Sequence, residues 1–400
     1  MITFIVVACL GGALCLCGFS FASAKEPMRT SDKSDITIVM VGDILLHEPI
    51  EEAAKDENGN YNYDFIFAGM KDEISAADIA IVNQEVIIGG KELGVSGYPS
   101  FNAAYEAGDA LVGAGFDVVC HGTNHALDKG KNGVVNCVNY WKTRHPEIAV
   151  VGINGSEAEY SNVTIVEKKG VQIAVLNYTY DTNGIPQPSD MPHAIDMMDK
   201  DKVIADLQYA EENADFTIVC PHWGTEYRLT PDAYQEYWTG IFRKYGADLV
   251  IGTHPHVIEP VTMLKDGNSV IVNNHGGGDM LVYYSLGNFV SWTSSLGKGV
   301  ANRSVGGMAT VTIGFDNKDA GAAPGSASGA KPRSEVVIRN YGVRALVCHL
   351  QEGPGGAVVY PLSEYTDSLG EVNAIKAQDT SFSRQYCVDL CNKVWCNGWK

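Results

Sequence analysis

Five stretches of this chain share one layout, a continuous apolar run that stops at polar or charged residues. Residues 36–41 end in Gly42-Asp43, and residues 79–82 end in Asn83-Gln84-Glu85. Residues 117–120 lead into His121-Gly122-Thr123-Asn124-His125. Residues 216–220 lead into Pro221-His222-Trp223-Gly224, with Glu226 just beyond. Residues 249–251 break at Gly252 before His254-Pro255-His256. Runs without polar alternation suit strands buried on both faces, as in parallel sheets. Between them, helical spacing covers 64–76, 103–114 (stopped by Gly115), 132–144 and 202–213. Thr230-Pro231-Asp232 opens a further helix with a capping residue and an early proline, ending near Tyr245-Gly246. Other strands are predicted at 150–152, at 163–166 and 171–177 as a hairpin about Lys169-Gly170, and at 257–264, 269–272 and 280–285. The last ones fall at 308–315, 335–338, 343–350 and 357–360. Residues 89–99 and 181–198 read as loops, the second lying over the strand ends. Alternation of strand and helix through Val257, then mostly strands, predicts an α/β fold in which a parallel sheet is extended by an antiparallel one.

The ends of the apolar runs carry the chemistry, because open α/β sheets take their ligands beyond the carboxyl ends of the strands. Each residue there has an ordinary reading by itself. Asp43 suits a turn, Glu85 a solvated carboxylate, Asn124 and His125 helix caps, and His254 and His256 a surface pair. Five strands delivering such groups to one edge outweigh those readings. Pro255 between the two histidines predicts an extended backbone, which turns both imidazoles to one face. Imidazole, carboxylate and amide oxygen without thiolate fit Mn, Fe or Zn. Asp43, Glu85, Asn124, His125, His222, His254 and His256 are too many for one ion and suit two. A bridging carboxylate would then keep ions about 3.5–4 Å apart with an acidified water between them. His125 need not be a ligand, and outside the ion pair it is suited to protonating a leaving group. Glu226 and Asp128 either orient histidines or are surface charge, and His47 either lines the pocket or serves a polar loop. His121, His145, His193, His275 and His349 take structural readings.

Composition narrows the class. A chain of 400 residues with 45% hydrophobic content builds a large core. Its 48 acidic against 29 basic residues, a net charge of −19, argue against a nucleic-acid partner. Residues 1–24 are uncharged and apolar and end in Ala22-Ser23-Ala24, which predicts a signal peptide or an N-terminal membrane anchor and an extracytoplasmic protein. A linker over 25–35 precedes one domain over 36–365, with a flexible excursion at 317–334 and a cysteine-containing tail over 366–400. Cys387, Cys391 and Cys396 in that tail favour a disulfide over zinc, for want of a fourth ligand. Cys120, Cys137, Cys220 and Cys348 read as buried thiols.

Six motifs in order carry a resemblance. They are Gly42-Asp43-Ile44-Leu45-Leu46, Asn83-Gln84-Glu85, Thr123-Asn124-His125-Ala126-Leu127-Asp128-Lys129-Gly130, His222-Trp223-Gly224-Thr225-Glu226-Tyr227, Gly252-Thr253-His254-Pro255-His256-Val257 and Ser285-Leu286-Gly287-Asn288-Phe289. Over roughly residues 36–315 the chain resembles the CapA-type poly-γ-glutamate capsule synthesis proteins. That family is similar in fold to the calcineurin-like metallophosphoesterases, so the resemblance implies a four-layer α/β/β/α sandwich with mixed sheets. It implies that Asp43, Glu85, Asn124, His222, His254 and His256 hold two divalent metal ions, with Glu85 bridging and His125 as catalytic acid. It also implies an exported protein of capsule polymer synthesis, export or attachment, meeting an anionic polymer or its precursor within a membrane-bound synthesis complex. A non-catalytic polymer-binding scaffold and a general metallophosphatase are the alternatives. Two departures bear on these expectations. Leu45 stands where phosphoesterases carry the histidine of D-x-H, and Glu85 stands in place of a bridging aspartate, which implies a remodelled metal position. An anionic polymer calls for local cations, and Arg228, Lys298 and Arg303 are the candidates.

Overall fold

The computed structural model describes residues 35–265, 279–315, 336–353, 355–396 and 398–400. The leader at 1–24, the linker as far as 34, the strand at 269–272, His275 and the excursion at 317–334 lie outside the described residues. The strands are β1 (Ile36–Leu45), β2 (Ile79–Asn83), β3 (Val118–Cys120), β4 (Ala149–Val151), β5 (Thr164–Lys168), β6 (Val171–Thr179) and β7 (Phe216–His222). They continue with β8 (Leu249–Ile251), β9 (Val261–Leu264), β10 (Met280–Tyr283), β11 (Asn288–Ser291), β12 (Val305–Phe315), β13 (Val336–Gln351) and β14 (Gly356–Pro361). The helices are α1 (Glu48–Ala54), α2 (Lys71–Ser75), α3 (Glu106–Ala114), α4 (Gly130–Arg144), α5 (Glu157–Tyr160), α6 (Lys200–Asn213), α7 (Ala233–Lys244), α8 (Asp367–Val372) and α9 (Arg384–Trp395).

The apolar runs do form parallel strands, but they divide between two mixed sheets instead of lining one. The first sheet has the order β14-β13-β12-β1-β2-β3-β4, with β11 parallel to the end of β1. The second has the order β5-β6-β7-β8-β10-β9. Strands β1 to β4 run parallel, as do β6, β7, β8 and β10, while β12 to β14, β5 and β9 pair antiparallel. The two-residue alternation of a strand then sorts side chains into layers. Ile173, Val175, Phe216, Ile218, Leu249 and Ile251 share a core with Met40, Ile81 and Val119 of the first sheet. Their alternates Ala174, Leu176, Val219 and Val250 pack on Leu207 and Ala210 of α6 and Trp238 and Phe242 of α7. Contact between the sheets is direct, with Cys220 Sγ 3.7 Å from Met40 Sδ. Helices α3 and α4 cross over between β2, β3 and β4 and bury Leu111, Val134 and Trp141. The fold is mixed α/β with two sheets, layered as helix, sheet, sheet, helix.

Several predicted boundaries move. The helix expected over 64–76 is a 3-10 turn at Asp64–Phe67 followed by the short α2. At Gly69 between them a Cβ would lie 2.3 Å from the Val359 carbonyl, so the chain breaks where it crosses β14. Of 257–264 only β9 is strand, since Pro260 has no N–H for a ladder. The two strands expected at 335–338 and 343–350 are one long β13, with a register shift opposite Thr312 and Ile313. Residues beyond 366 include α8 and α9, and the Trp395 indole of α9 donates to Glu259 O at 3.0 Å. Cys387 and Cys391 sit one turn apart on α9 as buried thiols, not as a disulfide. No helix among the described residues is long and apolar enough to cross a membrane.

Candidate metal centre

The carboxyl ends of β1, β2, β3, β7 and β8 meet where the two sheets come together. Asp43 arrives first, and Gly42 makes room for it. A Cβ on Gly42 would sit 1.8 Å from the Gly287 carbonyl, so only glycine lets β1 run alongside the Gly287 turn there. The backbone N–H of Asp43 donates to that same carbonyl at 3.0 Å. Its buried carboxylate accepts from Asn83 Nδ2 at 2.9 Å, from the His254 backbone N–H at 3.3 Å and from His256 Nδ1 at 3.2 Å. Asn288 Oδ1 lies 3.0 Å from the same His256 nitrogen.

The expected extended backbone at His254-Pro255-His256 is not what forms. His254 has φ +95° and His256 φ +58°, left-handed values that cost a non-glycine residue on the order of 1–3 kcal/mol. Local contacts over-determine this bend, because Asp43 accepts from His254 N and the Pro255 carbonyl accepts from Tyr227 N at 2.7 Å. Both imidazoles still reach one cleft, with ring centroids 5.8 Å apart. His222 completes the group. Its Nδ1 is held by Thr253 Oγ1 at 3.0 Å, while Nε2 lies 2.9 Å from Asn124 Oδ1 and 3.8 Å from Glu85 Oε1.

Glu85 is the centre of this arrangement. It is 0% exposed, and neither carboxylate oxygen has a hydrogen-bond partner. Its Oε1 faces His256 Nε2 at 3.7 Å, His222 Nε2 at 3.8 Å and His125 Nε2 at 4.0 Å. Two sets of ligand atoms, each mutually within 4.8 Å, share it: Asp43–Glu85–His256 and Glu85–His222–His254. Burial pushes Glu85 well above the usual carboxylate range, with Asp43 adding and His256 opposing. Burial also drives His222 and His254 far down, helped by the neighbouring imidazoles, which keeps them in the neutral form that binds metal. His256 behaves differently. Burial lowers it, but Glu85, Asp43 and Glu226 outweigh that and lift it to about 9. The buried His254 Nδ1 has no partner either. An orphaned acid ringed by imidazole nitrogens is a donor set that fits a divalent cation.

Beside the cluster, His125 is oriented by an acid. Its Nδ1 lies 2.7 Å from Asp128 Oδ2, which also accepts from the Phe101 backbone N–H at 2.7 Å. The Phe101 ring packs edge-on at 4.6 Å, leaving Nε2 toward Glu85. Glu226 is exposed, and its carboxylate groups with His254 and His256. His47 stands apart from these ligand groups: its Nδ1 accepts from Trp292 N at 3.2 Å, and burial lowers it to about 4. Leu45 is buried and offers no ligand. The structure adds Asn83, Thr253 and Asn288, which contact Asp43, His222 and His256, and Asn183, whose amide contacts Asn124 at 3.2 Å and His125 at 3.3 Å. The first three lie inside the motifs, where a polar residue beside a turn looks like turn chemistry. Asn183 sits in the loop over the strand ends, where nothing local marked it.

The sequence profile described as "Bacterial capsule synthesis protein PGA_cap" matches residues 37–293. The chain is 26% identical over 282 residues to the capsule biosynthesis protein CapA of Bacillus anthracis, covering 68% of this chain and 64% of that protein. It is 25% identical over 289 residues to the PGA biosynthesis protein CapA of Bacillus subtilis, covering 69% of this chain and 70% of that protein. Among solved structures, it is loosely similar to the NAD nucleotidase of Haemophilus influenzae, with TM-score 0.46, 12% identity, and coverage of 92% of this chain and 63% of that one.

Proposed function

The chain belongs to the bacterial capsule synthesis protein family PGA_cap, matched over residues 37–293, and from that membership we propose that its acid–imidazole cluster is a two-metal centre. It acts outside the cytoplasm on an amide or phosphoester of an anionic capsule polymer or its precursor, by hydrolysis or transfer. The observation that carries this reading is Glu85, a fully buried carboxylate with both oxygens unpartnered and three imidazole nitrogens within 4.0 Å. Asp43, Glu85 and His256 would hold one divalent ion, and Glu85, His222, His254 and Asn124 the other, drawn from Mn, Fe or Zn. Bound there, such ions supply Lewis acidity and lower the pKa of a coordinated water. The protein's own part is to position and to move a proton. Thr253 fixes the His222 ring so that Nε2 points inward. Asp128 faces His125 Nδ1, which turns Nε2 toward the reacting space, from where a proton carried on Nε2 passes to a leaving group.

The test is turnover by metal-loaded protein of γ-linked glutamate oligomers beside p-nitrophenyl phosphate. Cleavage or transfer of the oligomer, lost in His125→Ala, supports the reading. Turnover of the phosphate ester alone favours a general metallophosphatase. A second reading has its own observation: the buried Leu45 removes a ligand that phosphoesterases use, which favours a non-catalytic polymer-binding subunit of a synthesis complex. Glu85→Gln and His125→Ala supporting normal capsule output in a complemented strain would establish that role instead.

A further inference from the structure

Arg303 lies in the 3-10 turn Val300–Ser304, beyond the stretch matched by the family profile. Its guanidinium is anchored on two sides. Nη1 donates to Thr293 Oγ1 at 2.9 Å and Ser295 Oγ at 3.0 Å, and the guanidinium carbon sits 3.6 Å from the centroid of the Tyr227 ring. That seat belongs to the metal centre. Tyr227 N donates to the Pro255 carbonyl at 2.7 Å, and its ring lies 6.1 Å from that of His256. From below, Asn288 Nδ2 donates to the carbonyls of both His256, at 3.2 Å, and Arg303, at 3.0 Å. Arg303 is close enough to bear electrostatically on Tyr227 and on His47.

Among the described residues this guanidinium has no acid partner. Acidic residues outnumber basic ones 48 to 29 in this chain. Lys142, Arg144, Lys202 and Arg344 all pair with carboxylates. Among the described residues none lies within 4.0 Å of Arg303, and its side-chain hydrogen bonds use Nη1 alone. A planar fork held by stacking and hydroxyls, with Nε and Nη2 unbonded among the described residues, has already lost most of the rotamer entropy that binding would cost. Arg228 shows the contrast: it is exposed, and among the described residues its side chain bonds only to Thr230 Oγ1, at 3.3 Å.

We propose that Arg303, seated on Tyr227, is an anion subsite at the mouth of the centre. It holds a substrate carboxylate through Nε and Nη2 while the neighbouring amide lies over the metal ligands. This rests on reading the centre as acting on an anionic polymer, and a phosphate would satisfy the same fork.

Titration calorimetry on metal-loaded protein separates the cases, using a γ-linked glutamate oligomer, its α-amidated counterpart and inorganic phosphate. Arg303→Met is expected to weaken the oligomer roughly ten- to a hundredfold. Arg303→Lys should recover only part of that, because it restores charge without the fork. Metal uptake, the thermal midpoint and binding of the amidated counterpart should match the wild type. Tyr227→Leu, which keeps the charge and removes its seat, is an independent variant with a smaller expected loss. If phosphate binds in an Arg303-dependent manner and the oligomer does not, the subsite stands and the capsule-polymer reading falls. If Arg303→Met binds every probe as the wild type does, or the wild type binds none, the subsite is overturned.

Discussion

Glu51 and Glu85 are both carboxylates taken out of water, and burial raises the pKa of both, yet they sit in opposite kinds of surroundings. Glu51, on α1, accepts the Tyr63 hydroxyl, and burial lifts it to about 8 against that hydroxyl's opposing pull. At neutral pH it is a protonated acid with the Tyr63 phenol on Oε2 and Oε1 buried without a partner, and it requires no counter-ion. Glu85 has no hydroxyl or amide on either oxygen and three imidazole nitrogens within 4.0 Å. Burial alone therefore does not mark a metal ligand. What sets Glu85 apart is that both of its own oxygens are unsatisfied and face imidazole nitrogens, in a cluster where His254 Nδ1 is unpartnered too.

The largest effect that contrast predicts is on metal affinity. Glu85→Gln should weaken uptake by more than about a hundredfold in competition with a chelator, whereas Glu51→Gln should leave it unchanged. Equal losses in the two variants would erase the distinction. The next effect belongs to Glu51 and to pH. Its folded-state pKa of about 8 lies above the ordinary 4.5, so the folded protein holds a proton that the unfolded chain has released between those values. Its contribution to stability is full below about 4.5 and is lost as pH rises through about 8, on the order of a few kcal/mol in all. Glu51→Gln should flatten that decline, read as thermal midpoints at pH 5 and pH 8.5. An unchanged slope would show that Glu51 ionises normally. Smaller again is Asp128→Asn, which should lower turnover about a hundredfold while metal uptake persists. Parallel loss of metal would instead make Asp128 part of the ligand scaffold. Thr253→Val, which frees His222 Nδ1, is expected to cost about tenfold in metal affinity with the fold intact, measured in the same chelator competition.

Much of this was legible in the chain, for reasons that differ by element. Strands β1, β7 and β8 were visible because runs buried on both faces carry no polar alternation. The β5–β6 hairpin was marked by Lys169 and Gly170, both at positive φ in the turn. Division into two sheets was not legible, since such a run says nothing about which neighbour it will pair with. The bend at His254 and His256 escaped because Pro255 argues locally for extension, while its cause, Asp43, lies 211 residues away from His254. The Asp43, Glu85 and His256 convergence was readable from strand ends. The positioning roles of Asn83, Thr253 and Asn288 were not, because each depends on a partner that only the fold supplies.

The most direct test of the central claim is anomalous scattering from protein dialysed free of metal and reloaded with Mn or Zn. The account predicts two peaks at the meeting strand ends, with Glu85 touching both and Asp43 and His222 on opposite sides. No peak there, or a single ion that Glu85 does not contact, would contradict it.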